Sequence, residues 1–231
     1  MKVERLAWDS DFFGLRIGSA FVSSEEEGLS MAIQRKNLEK DYDLLYVFTS
    51  HGTRFPDEKA KLVDEKVVYS LSKGVSSEAN PSVELWDANK GLTDDLLHLA
   101  LVSGKYSRFK LDENLPSGSY ERLYSRWIEQ SVNHAIATEV FCYMVNNRPR
   151  GLVTLDRKNG VGTIGLVAIH EEFQGRGIGS AMLRHVIRFA QGGQCVKLSV
   201  ATQHNNLPAC RLYEKNGFEV ESVTDVWHWW L

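Results

Sequence analysis

A chain of 231 residues with 43% hydrophobic and 25% charged residues has the composition of a folded globular protein, long enough for one large domain or two small ones. The net charge of −3, without Lys/Arg runs, argues against a nucleic-acid partner. No apolar stretch approaches the length of a membrane span, so no membrane association is expected. The first twenty residues hold Asp9 and Asp11 and lack an apolar h-region, so no signal peptide is read. Cys142, Cys195 and Cys210 are few and widely spaced, which reads as reduced thiols in a cytoplasm. None of the seven His residues stands at metal-ligand spacing from them, and no metal is expected.

In chain order, Leu44–Phe48 and Val67–Leu71 are short β-type runs, with a polar helical stretch from Ile33 to Asp41 before them. The stretch Ser76 to Pro81 is the best linker candidate, giving an N-terminal mixed α/β domain over 1–80 and a second domain over 83–231. Thr93 with Asp94 and Asp95 marks a helix start, and Gly104 its stop. Tyr120, Leu123, Tyr124, Trp127, Ile128 and Ser131 follow helical periodicity and predict an amphipathic helix. Strands at Val140–Val145, Gly151–Leu155 and Thr163–Ile169 are joined by turns at 146–149 and at Asn159-Gly160. Such tight connections force antiparallel pairing. Then come a helix from Ile178 to Ala190, a strand Val196–Ala201, a helix Leu207–Lys215 and a strand Val223–Trp229. The helical crossover makes Thr163–Ile169 and Val196–Ala201 a parallel pair.

The junction between that third strand and its helix reads Gln174-Gly175-Arg176-Gly177-Ile178-Gly179. The first N–H groups of a helix lack internal partners and sit at its positive end. Glycines let backbone approach a ligand closely, so the turn suits a pyrophosphate, with Arg176 adding charge-assisted bonds. Ser180 stands where a dinucleotide fingerprint needs its last glycine, and no Gly-Lys-Ser/Thr of a Walker loop is present. Alone, the glycines fit a tight packing turn equally well. On or near the next helix, Asn206 and Tyr213 lie seven residues apart, about two turns, and share a face. Asn206 can serve an amide-bearing chain or start the helix before Pro208, Ala209 keeps the face shallow, and Tyr213 carries a proton or packs in the core.

The two segments together settle the choice. Ile169, Gln174, Gly177 and Gly179, followed by Asn206, Ala209, Leu212, Tyr213, Glu214, Lys215, Gly217 and Phe218, resemble the paired signature segments of the GNAT superfamily of N-acetyltransferases. The resemblance covers residues 83–231 and implies an α/β (α+β) fold. Its sheet is mixed and mostly antiparallel, with a splayed parallel strand pair holding acetyl-CoA. It further implies that Gln174, Gly175, Arg176, Gly177, Ile178 and Gly179 hold the pyrophosphate. Leu166, Val167, Ala168 and Ile169 would pair with pantetheine, Asn206 and Ala209 flank that arm, and Tyr213 is the catalytic acid for the thiolate. A looser likeness rests on Trp8–Gly14, Tyr106–Phe109, Tyr124–Glu129 and Val200–Gln203. These segments are similar to acetyltransferases of nucleotide-linked aminodeoxysugars, the TDP-fucosamine-like enzymes with an extra N-terminal domain. His204, Asn205 and Pro208 depart from that pattern.

Read physically, Arg108 and Arg126 can meet a diphosphate, and Tyr106 and Phe109 can stack on a sugar or base. Trp127 is read as core, and Trp227, Trp229 and Trp230 as core or a homodimer contact. An acceptor amine must lose a proton before it attacks a thioester. His170 and His204 are candidate bases, with a water relay preferred over either. Cys142 and Cys210 have no basic partner in sequence and are not read as nucleophiles. The alternatives are acetylation of a protein N-terminus, a lysine or another small amine, and a non-catalytic acyl-CoA-binding module that would dispense with Tyr213.

Overall fold

A computed structural model describes residues 2–72, 80–193 and 195–231. Residues 76–79 of the linker candidate lie outside them. The elements are β1 (Glu4–Arg5), α1 (Ala7–Phe13), β2 (Ile17–Val22), α2 (Glu25–Ile33), α3 (Arg35–Leu38), β3 (Leu44–Ser50) and β4 (Ala60–Leu71). There follow β5 (Val83–Leu85), α4 (Asp94–Ser103), α5 (Arg108–Leu111), α6 (Ser119–Val132), β6 (Glu139–Val145), β7 (Arg148–Lys158) and β8 (Val161–Ile169). The chain closes with α7 (Ile178–Gly192), β9 (Lys197–Gln203), α8 (Leu207–Lys215) and β10 (Glu219–Trp230).

Every strand joins one sheet in the order β1-β2-β3-β10-β4-β9-β8-β7-β6-β5. The pairs β2/β3 and β8/β9 are parallel, and the remaining pairs are antiparallel. Residues 1–80 and 83–231 contribute to the same sheet, because β10 lies between β3 and β4, and β4 also pairs with β9. Helices cover both faces, as the alternation of side chains across each strand requires. Leu44 and Tyr46 of β3 and Val140 and Cys142 of β6 pack under α1, α4, α5 and α6. Phe141 of β6, Val153 and Leu155 of β7 and Leu198 and Val200 of β9 pack under α7 and α8. Helix α7 presents Ile178, Met182, Leu183, Val186, Ile187 and Ala190 as one buried stripe.

The hairpin turns form as their sequences predict. Asn159 and Gly160 both take positive φ, 52° and 77°, as do Asn146 and Asn147. The N-terminal third differs from the sequence reading. The helix expected over 33–41 begins earlier: Ser24 caps α2 by accepting from Glu27 N, and the Glu27 carboxylate accepts from Ser23 N. Only Gly28 and Met31 of α2 are buried, too few to leave a periodic signal. Strand β4 begins seven residues before the Val67 run, through a charged stretch that hides its alternation.

Candidate active site

The parallel pair β8/β9 holds over four positions, from Val161↔Lys197 to Ile164↔Val200. Beyond them β8 follows β7 to Ile169 and β9 follows β4 to Gln203, so the two strands diverge. The cause is a bulge. Between the pairs Val153↔Val167 and Leu155↔Ile164, Thr154 alone opposes Gly165 and Leu166. An extra residue bends a strand and flips its alternation. Accordingly Ile164 packs on the α7 side, while Leu166 and Ala168 pack on the α4–α6 side. The Leu166 N–H, taken out of the ladder, donates to Thr154 Oγ1 at 2.8 Å. A Cβ on Gly165 would meet that oxygen at 2.7 Å, so the bulge needs glycine there.

A cleft of about 950 Å³ opens at the fork and reaches both faces of the sheet. Its lining includes Leu166, Val167, Ala168, Ile169, Gln174, Gly175, Gly177, Ile178, Gly179, Asn206, Ala209 and Tyr213 on one side. Tyr106, Arg108 and Phe109 line it on the other. The two signature segments and the α5 region, far apart in sequence, are thus brought to one cavity.

On the α7 side the backbone forms an anion cradle. Gly175 and Gly177 have φ of +74° and +76°, and Gly177 caps α7 in the left-handed conformation. A Cβ built on either meets nothing within 4 Å, so the loop surface is open to a ligand. The Gln174 side chain bonds Ile169 O at 2.9 Å and ties the loop to the end of β8. The Arg176 side chain is not among the cleft residues: it donates to Glu172 O at 2.8 Å and lies over Phe173. Asn206 both lines the cleft and caps α8, accepting from Ala209 N and donating to Thr202 Oγ1 at 3.1 Å. Tyr213 is 3% exposed and packs between Tyr69 and Phe218. Burial, with a lesser push from Cys210, raises its phenol above the usual range, so it keeps its proton.

On the α4–α6 side the chemistry centres on Arg108 and Asp64. Arg108 opens the short helix α5, its side chain only 20% exposed. The guanidinium lies 4.5 Å from the Phe109 ring centroid and 5.2 Å from that of Tyr46. Its Nη1 stands 4.0 Å from Asp64 Oδ2. Asp64, from β4, is a cleft residue that sequence reasoning missed, because it sits in the charged stretch before the recognised strand. Its side chain is 2% exposed, and burial pushes its carboxyl up to about 6 against the opposing pull of Arg108 and Lys66. Trp127, read as core, packs on Phe109 and Tyr124 and also lines the cleft.

Other candidates fall elsewhere. Arg126 is exposed and pairs with Glu129. Neither His170 nor His204 is among the cleft residues. His170 Nδ1 accepts from Glu172 N, and Glu171 bonds His98 at 2.8 Å, a cluster built through space that spacing could not reveal. Cys142 is buried with its thiol pushed up to about 12 by burial, consistent with an inert side chain. Trp229 is fully buried, and Trp230 donates to Asp112 Oδ2 at 3.0 Å. Among the described residues, no helix is long and apolar enough to cross a membrane.

Residues 106–218 match the model of the Acetyltransferase (GNAT) family. That segment is a GNAT acetyltransferase domain. It is therefore an acyl-CoA N-acyltransferase, and its acyl donor is acetyl-CoA. The chain is 25% identical to the dTDP-fucosamine acetyltransferase of Escherichia coli O6:H1, over 99% of this chain and 96% of that protein. It is also 25% identical to the spore coat polysaccharide biosynthesis protein SpsD of Bacillus subtilis, over 65% of this chain and 52% of that one. In fold it is similar to a GCN5-related N-acetyltransferase from Sphaerobacter thermophilus. The TM-score is 0.57 at 13% identity, with 92% of this chain and 72% of that one covered.

Proposed function

We propose that the acceptor is the amino group of a nucleotide-linked aminodeoxysugar. The observation that carries this reading is the likeness to dTDP-fucosamine acetyltransferase, which runs through the N-terminal segment as well as the GNAT domain. The cleft supports it. Past the fork, Lys66, Lys105 and Arg108 supply positive charge for a diphosphate, and Tyr106, Phe109 and Trp127 supply rings for a sugar or base.

Acetyl-CoA brings the acetyl group as a thioester. The open, positive-φ cradle at Gly175 and Gly177 fits its pyrophosphate, and the free edge of β8 past Ile164 fits its amide-bearing arm. Tyr213, held neutral by burial, has a proton for the departing thiolate. Donor and acceptor approach from opposite faces of the sheet and meet in the fork, so the transfer is direct, with no acyl-enzyme.

The test offers dTDP-fucosamine, spermidine and a lysine peptide in turn, with acetyl-CoA, and follows free thiol. Preferred turnover of the nucleotide sugar is expected. Arg108→Ala should then raise the sugar KM by roughly 10–150-fold, the worth of a charge-assisted contact of about 1.5–3 kcal/mol, and leave the acetyl-CoA KM unchanged. Turnover of spermidine or peptide with none of the sugar would refute the reading.

A further inference from the structure

We propose that Asp64 receives the ammonium group of the acceptor and takes its proton, so that the N-terminal segment supplies the base of the reaction. The proposal rests on acetyl transfer to an amine and not on which amine is used.

Among the described residues lining the cleft, Asp64 is the only carboxylate, and none is a histidine. Its Oδ1 is buried without a hydrogen-bond partner, although its side chain faces the cavity. A buried polar atom left unpaired costs free energy, and a site that pairs it only with ligand uses that cost for recognition. The charge pattern gives the ligand's sign. Lys66, Lys105 and Arg108 surround the same space, so an entering cation finds one favourable partner there. Arg108, at 4.0 Å from Oδ2, leaves Oδ1 free.

The position is built. Between the pairs Val226↔Asp64 and Trp227↔Leu62, β4 carries one extra residue, Val63, opposite β10. Bulges re-aim the side chains beside them. Asp64 then shares a face with Lys66 and Val68, the side of the sheet where Arg108 and Trp127 lie. The groups bearing on its charge are Arg108 from α5, Lys66 and Glu65 from β4, Gln203 from β9 and Tyr124 from α6. Burial outweighs the cations among them and brings the carboxyl near 6, ionised at neutral pH yet basic enough to hold a proton.

The step balances. One ammonium proton passes to an Asp64 oxygen, and the freed nitrogen pair forms the C–N bond to the thioester carbonyl carbon. The C–S bond breaks, its electron pair goes to sulfur, and Tyr213 protonates that sulfur. The nitrogen returns its second proton to the Tyr213 oxygen, and Asp64 gives its proton to solvent. No oxidant, reductant or further co-reactant enters.

Two measurements test this, one without any acceptor. In protein labelled with ¹³C at aspartate carboxyls, the resonance lost in Asp64→Asn should titrate near pH 6. A midpoint in the ordinary aspartate range, below about 4.5, overturns the proposal. The second is the pH profile of kcat/KM with dTDP-fucosamine or, where that is not acetylated, spermidine. The wild type should lose activity below pH 6. Asp64→Asn should lower kcat about 10²–10⁴-fold and flatten that limb, and Asp64→Glu should restore it in part. The acetyl-CoA Kd, measured by calorimetry, should stay unchanged in both variants. A folded Asp64→Asn enzyme with near-normal kcat and an unaltered limb would overturn the role. Spermidine turnover that collapses in Asp64→Asn, with no turnover of the sugar, would refute the sugar reading alone and leave Asp64 as the base.

Discussion

A buried carboxylate with a raised pKa costs stability at neutral pH, and Asp64 is such a group. Its folded value of about 6 stands above the unfolded 3.8. The folded state therefore binds a proton more tightly than the unfolded state does. Stability associated with the site is full below pH 3.8 and is lost as pH rises through 6. A displacement of that size, at 1.36 kcal/mol per pKa unit, amounts to about 3 kcal/mol. Asp64→Asn has nothing to ionise there and escapes the loss. Its stability relative to wild type should rise by about 3 kcal/mol between pH 2.5 and pH 8, the greater part of it between pH 4 and pH 6.5. The pair with Arg108 is already contained in the raised value, so this pH-dependent part does not require a separate correction for it. Any pH-independent effect of the amide moves the two curves apart by a constant. For a chain of this size the change corresponds to roughly 6–12 °C in melting midpoint. Paired thermal melts of the two proteins, in the same buffers at half-unit steps, measure it. Parallel curves from pH 4 to 8, with a constant gap, would show that Asp64 is solvated in solution and would refute the reasoning.

Three further outcomes follow from the geometry. Tyr213→Phe keeps the packing against Tyr69 and Phe218 and removes the proton. Its kcat should fall about 10²–10⁴-fold with the acetyl-CoA Kd similar, and near-normal turnover would leave Tyr213 as packing only. Gly177→Ala meets no atom within 4 Å but must hold a Cβ at φ +76°. That strain costs about 1–2 kcal/mol, seen as a lower urea midpoint together with weaker acetyl-CoA binding in calorimetry; an unchanged midpoint would show that the turn relaxes without cost. Thr154→Val removes the oxygen that accepts from Leu166 N in the bulge and should cost about 1–3 kcal/mol in denaturant. A smaller loss would mean that the Leu166 N–H finds another partner.

The parts of the fold with period-2 or period-3.6 patterning were legible in the sequence. The meander of β6, β7 and β8, the helix α7 and the parallel crossover to β9 all followed from apolar spacing and turn residues. The loop at the end of β8 was legible because backbone chemistry writes itself into glycines: Gly175 and Gly177 line the cleft and take positive φ. On the other side of the cleft Tyr106, Arg108 and Phe109 were legible and Asp64 was not. Asp64 lies in Lys61-Leu62-Val63-Asp64-Glu65-Lys66, which reads as a solvated charged stretch. It becomes a strand only because β9 and β10 pair with it over long range. Nothing local distinguishes Asp64 from Glu65. Burial does, and burial depends on which face the strand shows. His170 and His204 flank the recognised strands, yet proximity in sequence to a strand end does not place a side chain in the fork.

Two bulges, one in each half of the chain, together define the chemistry. In β8 the extra residue at Gly165–Leu166 ends the parallel ladder after Ile164, which separates β8 from β9 and leaves room for a thioester arm. In β4 the extra residue Val63 sits beside Asp64 where it faces that fork. A regular sheet would pair β8 and β9 to their ends, and the cleft would close. The GNAT domain alone supplies the first device. The second comes from a strand of the N-terminal segment, locked between β9 and β10 by pairing on both edges. Because β10 is the last strand of the chain and β4 belongs to the first third, the acceptor side is complete only after both ends have joined the sheet. The N-terminal segment is thus part of the cleft and not an appendage to it, and its removal would take away the one carboxylate among the described residues that line it.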